Sequence, residues 1–239
     1  ARKVVDAVDA AGTRLAIGHS ARRLTVSRRL KELIDSGGLG DVSINESNFC
    51  TERGLELTPD KWRSSAELNP TGVVIQLSIH HIDTFRYLHG PIRSVTARMK
   101  RMHATADVED SAMIIMEHEN GILSYTGGGW SCPWAFHMNV HGTKAVAHFR
   151  ITGQQWRDPS KAPEPIRLHI DREPLGDKTV LDMPDGDMFR DALEDFADCV
   201  REDRSPEVDG RVAFEDLAVV YAAAESSRTR KTVEMKDFL

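Results

Sequence analysis

Asn69-Pro-Thr-Gly-Val-Val-Ile-Gln-Leu-Ser-Ile-His-His-Ile-Asp-Thr-Phe-Arg-Tyr-Leu88 carries two structural readings at once. In its first half Val73, Ile75, Leu77 and Ile79 alternate with Val74, Gln76, Ser78 and His80, as in a strand. The second half has helical spacing. A helix with Thr71 as N-cap puts Gln76, His80, Asp83 and Tyr87 on one face at 4-3-4 intervals. In either conformation Gln76 and His80 project to the same side. A polar stripe in an otherwise apolar element either lines a pocket or is hydrogen-bonded inside the core. On spacing alone, a structural histidine is the commoner outcome. The run His80-His81-x-Asp83 does not predict a metal, because adjacent helical residues diverge by about 100° and no cysteine or carboxylate cluster completes a ligand set.

Around this element the sequence is mainly β. Val42 and Ile44 alternate with polar residues, and Ile92, Val95, Ala97 and Met99 do so less strictly. A continuous apolar run within Asp110 to Glu117 leads to Glu119-Asn120-Gly121, a tight-turn signal because Asn-Gly tolerates positive φ. Phe136, Met138 and Val140 face opposite to His137, Asn139 and His141. After a turn at Gly142-Thr143 the alternation resumes at Ala145, Ala147, Phe149 and Ile151. Residues 42 to 183 thus predict a mainly antiparallel sheet interrupted by one helix. Before the sheet, Val4, Val8 and Ala11 predict a helix, residues 14–18 a short buried strand, and Leu30, Leu33 and Ile34 a second helix stopped by Gly37-Gly38. After it, Phe189, Leu193, Phe196 and Val200 mark one helix and Phe214, Leu217, Tyr221 and Ala224 another, with Arg204-Ser205-Pro206 between them. The acids Asp191, Glu194, Asp195 and Asp198 read as a solvated face. The fold class is α+β.

Composition narrows the function classes. With 31 basic against 37 acidic residues in 239, net charge −6, neither nucleic acid nor an anionic membrane is expected as a partner. No apolar run reaches the 18 or so residues that span a bilayer. Cys50, Cys132 and Cys199 are too few and scattered for a disulfide framework or zinc ribbon, which suggests a reduced, cytoplasmic-type protein. The clusters Gly37-Gly38-Leu39-Gly40 and Gly127-Gly128-Gly129 do not form a dinucleotide fingerprint, since neither opens a helix with the required spacing. Ala1 begins inside a helix with no cap, so the expectation is that more chain precedes it.

Several segments taken in order resemble the Gfo/Idh/MocA oxidoreductases, typified by glucose–fructose oxidoreductase and inositol dehydrogenase. These are Gly18-His-Ser-Ala-Arg-Arg23 with Leu30 to Val42; Trp62-Arg63; Thr71-Gly72 with His80-His-Ile-Asp83 and Tyr87-Leu-His-Gly90; His141-Gly-Thr143; and Phe189 to Val200, Pro206 to Gly210 and Ala222 to Glu225. The resemblance implies an open antiparallel sheet with flanking helices, preceded by the last helix and strand of a Rossmann domain. Residues 1–25 would be that Rossmann remnant and 26–239 a substrate-binding and oligomerisation domain. The implied cofactor is NAD or NADP, with its main binding residues and a catalytic lysine upstream of residue 1. The implied chemistry is hydride transfer with a secondary alcohol of a sugar, polyol or cyclic diol. A positioned base must take the alcohol proton, and His80 holds the family's histidine position. Gln76 stands where many members have Asp; it can orient but cannot stabilise an imidazolium as a carboxylate does. Lys61, Trp62, Arg63 and Arg22 are the further substrate-binding candidates, and Asp83 a structural hydrogen-bonding residue. A homo-oligomer, dimer or tetramer, through the sheet face is implied. Two other classes remain open: a non-catalytic sheet module for assembly or binding, and a redox-assisted lyase or glycosidase.

Overall fold

A computed structural model describes residues 1–172 and 177–238. Among these residues nine strands form one open sheet: β1 (Val42–Cys50), β2 (Ile92–Lys100), β3 (Ser111–His118), β4 (Leu123–Gly129), β5 (Ala135–Gly142), β6 (Ala145–Ile151), β7 (Arg167–Arg172), β8 (Asp177–Asp182) and the two-residue β9 (Val233–Glu234). Their order is β8-β7-β6-β5-β1-β4-β3-β2-β9. Every pairing is antiparallel except β1 with β4, which is parallel. The alternation expected in β5 and β6 is met: Phe136, Met138, Val140, Ala147, Phe149 and Ile151 are all buried on one face. Gly121, at φ +86, makes the β3–β4 turn.

Among the described residues six α-helices accompany the sheet: α1 (Arg2–Ala11), α2 (Thr25–Asp35), α3 (Ile79–His89), α4 (Gly153–Arg157), α5 (Met188–Glu202) and α6 (Gly210–Thr229). Helix α2 buries Val26, Leu30 and Leu33, while α3 buries Ile82, Phe85 and Leu88. α6 lies along β2 and caps part of its edge: the Ala97 and Met99 amides donate to the Ser226 and Ser227 hydroxyls at 2.9 and 2.8 Å. Those serines satisfy the strand where the short β9 does not reach.

Three expectations change. Residues 14–18 form a single antiparallel bridge, Ala16 to Asp209, and not a buried strand. Among the described residues no strand lies alongside it, Leu15 and Ile17 are half-buried, and Ala16 is exposed. Asp195 is not part of a solvated face, for it pairs with Arg23 at 2.8 Å and Arg204 at 2.9 Å. Thr71 does not cap the central helix. It sits at φ +68, and its buried hydroxyl has no partner among the described residues. The chain enters instead through Gly72, where a Cβ would fall 2.1 Å from the Glu109 carbonyl oxygen. The Val73 amide then donates to that same carbonyl at 2.9 Å.

The ambiguity of residues 73–80 resolves as helix of an unusual kind. Val74–Ser78 is a π-helical turn running directly into α3. Such turns carry one residue more than the α-helix wants and cluster at functional sites. The turn rests on the glycines of β4: a Cβ at Gly128 would stand 2.5 Å from Ser78 Oγ and 3.3 Å from Val73 Cγ2. The Gly128→Ala variant should therefore lose about 1–3 kcal/mol of stability through overpacking, read as a lower urea midpoint. An unchanged midpoint would show that the turn is not seated on the glycines.

Candidate functional site

His80 lies at the junction of the π turn and α3, in a box of rings. Its imidazole centroid is 5.4 Å from Trp156, 5.9 Å from Phe49 and 6.4 Å from His19. Trp156 reaches this place because α4 is held by a capping box: Thr152 Oγ1 accepts from the Gln155 amide and Gln155 Oε1 from the Thr152 amide. The ring is half-buried, and its buried Nδ1 has no hydrogen-bond partner among the described residues. Burial, helped by the adjacent His19, lowers its pKa to about 4. At neutral pH His80 is an uncharged imidazole, able to accept a hydrogen bond or a proton. Among the described residues no carboxylate directly compensates its cation. Beyond Trp156 opens a cleft of about 510 Å³, lined by Arg157, Asp187, Phe189 and Arg190 among others.

One turn earlier, Gln76 is tied into a second group. Its Nε2 donates to Asn69 Oδ1 at 3.0 Å, Asn69 Nδ2 donates to the Arg63 carbonyl at 2.9 Å, and Arg63 Nε donates to Gln76 Oε1 at 3.4 Å. The Arg63 guanidinium stacks on Trp62, 4.3 Å from its ring centroid, and that ring is 47% exposed. Lys61 turns elsewhere, donating to the Glu56 carbonyl at 2.9 Å.

Behind His80 lies a buried charge cluster. Arg22 forks onto Asp83, donating through Nε at 2.9 Å and also through its second terminal nitrogen. The same guanidinium lies 5.3 Å from the Tyr87 ring centroid. Arg86 donates to Asp216 at 2.5 Å, and also to Glu215. His19 Nε2 stands 3.4 Å from Asp216 Oδ2. Burial and the neighbouring Asp216 raise the Asp83 pKa to about 7 against the pull of Arg22. Burial lowers that of His19. The donor atoms of His19, Asp83 and Asp216 lie within 4.8 Å of one another, a spacing that suits a cation. However, Arg22 and Arg86 already supply the positive charge those carboxylates need.

The structure thus gathers His80, Gln76, Arg63 and Trp62 along one side of the π turn. It commits the buried Arg22 to Asp83 and turns Lys61 away. Phe49, Trp156 and Asp216 have no adjacent motif; they reach the site through the sheet, α4 and α6, while His19 comes from the Gly18–Arg23 segment ahead of α2. Their only sequence signal is weak, an aromatic or polar residue within an otherwise ordinary element.

Comparison with known proteins adds the relationship. A family model described as the GFO/IDH/MocA C-terminal domain matches residues 27–148. D-xylose 1-dehydrogenase [NADP(+)] of Haloarcula marismortui is 25% identical over 241 residues, covering 98% of this chain and 64% of its own. The chain therefore spans just under two-thirds of that relative. A crystal structure from Desulfitobacterium hafniense, named for NADPH-dependent oxidoreductase activity, superposes with a TM-score of 0.94 at 31% identity, covering all of this chain and 69% of its own. Aldose-aldose oxidoreductase from Caulobacter crescentus shares the fold, with a TM-score of 0.82 at 21% identity over 96% of this chain and 66% of its own.

Proposed function

The chain belongs to the GFO/IDH/MocA family, and from that premise we propose that it forms the substrate-binding part of an NAD(P)-dependent oxidoreductase. The reaction is hydride transfer between nicotinamide and a secondary alcohol of a sugar, polyol or cyclic diol. The xylose relative is named for NADP(+), which supports the cofactor class. We assign residues 26–239 to substrate binding and assembly, and residues 1–25 to the join with a nucleotide-binding unit.

Gly37 and Gly40, at φ +69 and +75, turn the chain from α2 into β1 and open no helix. Gly127 to Gly129 lie in a strand beneath the π turn. What the chain offers is the substrate side. The observation that carries the reading is His80: a neutral, half-buried imidazole in an aromatic box, with an amide and a guanidinium one turn away. Such a group accepts the hydroxyl hydrogen bond and takes the proton as the C–H bond breaks. Aromatic walls such as Trp156 and Phe49 exclude water and offer apolar faces to a carbohydrate.

The outer face of the sheet supports assembly. Ile44, Met113, Ile115 and Leu123 are all about half exposed or more, between 46% and 63%, and a second copy would cover them. No described helix is long and apolar enough to cross a membrane.

The test is His80→Ala in the catalytically active protein. Turnover should fall about 100-fold or more while nucleotide affinity and circular dichroism stay unchanged. Turnover near wild type would sink the assignment of His80 as the base.

A further inference from the structure

Arg63 is a charge set in place without a carboxylate. Its guanidinium is stacked on Trp62, and Nε is hydrogen-bonded to Gln76 Oε1. Its backbone carbonyl accepts from the buried Asn69. Each contact fixes position, and none neutralises charge, because Gln76 and Asn69 are amides. Among the described residues no carboxylate oxygen pairs with it. Other arginines in this chain contrast with this: Arg22, Arg23, Arg28, Arg86 and Arg167 each pair with an acid. An exposed arginine without such ties keeps its full rotamer freedom, and ordering it costs entropy. Here that cost has been met in advance by the stacking and the Gln76–Asn69 pair. The two terminal nitrogens remain as donors in a planar fork, the geometry that matches a carboxylate.

This fork stands next to Gln76, one helical turn from His80. Resting on the reading of His80 as the group that meets the reacting hydroxyl, we propose that Arg63 selects substrates carrying a carboxylate several carbons from that hydroxyl, the class of aldonates and uronates. Trp62 and Gln76 act as positioning residues: one stacks the guanidinium, the other orients its fork. A neutral polyol would leave the fork facing water and gain nothing from it.

D-gluconate and D-glucitol make a matched pair of probes, differing only in a terminal carboxylate in place of CH2OH. Calorimetry on the full chain should show gluconate binding about 10-fold tighter or more, with a preference that shrinks as salt is raised. Arg63→Gln should abolish the preference, so that the variant binds gluconate no more tightly than it binds glucitol. Arg63→Lys should keep part of the preference. Gln76→Leu should weaken gluconate selectively, since it frees the guanidinium without removing it. Imidazole NMR shifts of His80 separate this inference from the reading beneath it. If both polyols shift His80 equally and Arg63→Gln changes neither affinity, anion selection is overturned and the His80 site stands. If gluconate binds through Arg63 without shifting His80, the anion site stands and the role of His80 falls. Absence of binding by either probe overturns anion selection, while the role of His80 is decided by the turnover of His80→Ala.

Discussion

Moving the protein from pH 7 to pH 4 lowers its unfolding free energy by roughly 5 kcal/mol, enough to unfold a domain of ordinary stability. The cause is a set of histidines buried in their neutral form. Burial, reinforced by neighbouring histidines, lowers His81 and His89 to about 3 and His80 to about 4. In the unfolded chain all three titrate near 6.5. Protons therefore bind the unfolded state first. The stability these groups supply is complete above pH 6.5 and drains away as pH falls toward their folded values, at about 1.4 kcal/mol per group per pH unit. Asp83 has the opposite sign. Raised to about 7, it takes up a proton in the folded state first and gains stability as pH falls from 7 toward its unfolded value near 4. That offsets roughly one histidine and leaves the others uncompensated. Urea titrations at pH 7, 5.5 and 4.5 should show the midpoint falling steadily. His81→Gln should flatten the decline by about one proton's worth. Equal midpoints at all three pH values would overturn the account.

Asp83→Ala should cost about 3–5 kcal/mol, because it strands Arg22. The Arg22 guanidinium is 5% exposed and places two donors on Asp83; its other acidic neighbour, Glu207, is 3.8 Å away. The expensive species is the unpaired buried cation, so removing both charges is milder than removing one. Arg22→Met with Asp83→Leu should recover most of the loss, measured by chemical denaturation of the four proteins of the cycle. If the double variant is as unstable as Asp83→Ala, the loss comes from packing and not from the stranded charge. Because α3 is anchored there, Asp83→Ala should also broaden the NMR signals of His80.

These effects show how far residue order reaches. Wherever one face of a strand is buried and the other wet, period-two alternation exposes the arrangement, as with Phe136, Met138 and Val140 against His137, Asn139 and His141. The element at 73–80 resists because it is apolar on most sides, so neither period dominates. Its π turn depends on Gly72 meeting Glu109 and on Gly128 meeting Ser78, contacts between residues 37 and 50 positions apart in the chain. The strand expected at 14–18 fails for a related reason, since a strand needs a neighbour that composition does not supply. In the site, His80, Gln76 and Arg63 are near enough in sequence to be picked out together. Trp156 and Asp216 are brought in by the fold, and nothing local marks them. Arg22 looks like a ligand in the sequence because nothing near it announces Asp83, 61 residues away.

The parallel pairing of β1 with β4 also governs the order in which the molecule can assemble. Hairpins β2–β3 and β3–β4 and the β5–β6 pair close over short loops, at small entropic cost. β1 cannot join them, because both its partners, β4 and β5, lie more than seventy residues further on. During synthesis it waits with both edges unpaired until β4 has emerged, and with one edge open until β5 follows. The middle strand of the finished sheet is thus the one that waits longest for a first partner and, until then, the segment most open to pairing with another chain. A lower expression level should favour soluble protein for that reason, by keeping neighbouring chains few while β1 waits for β4.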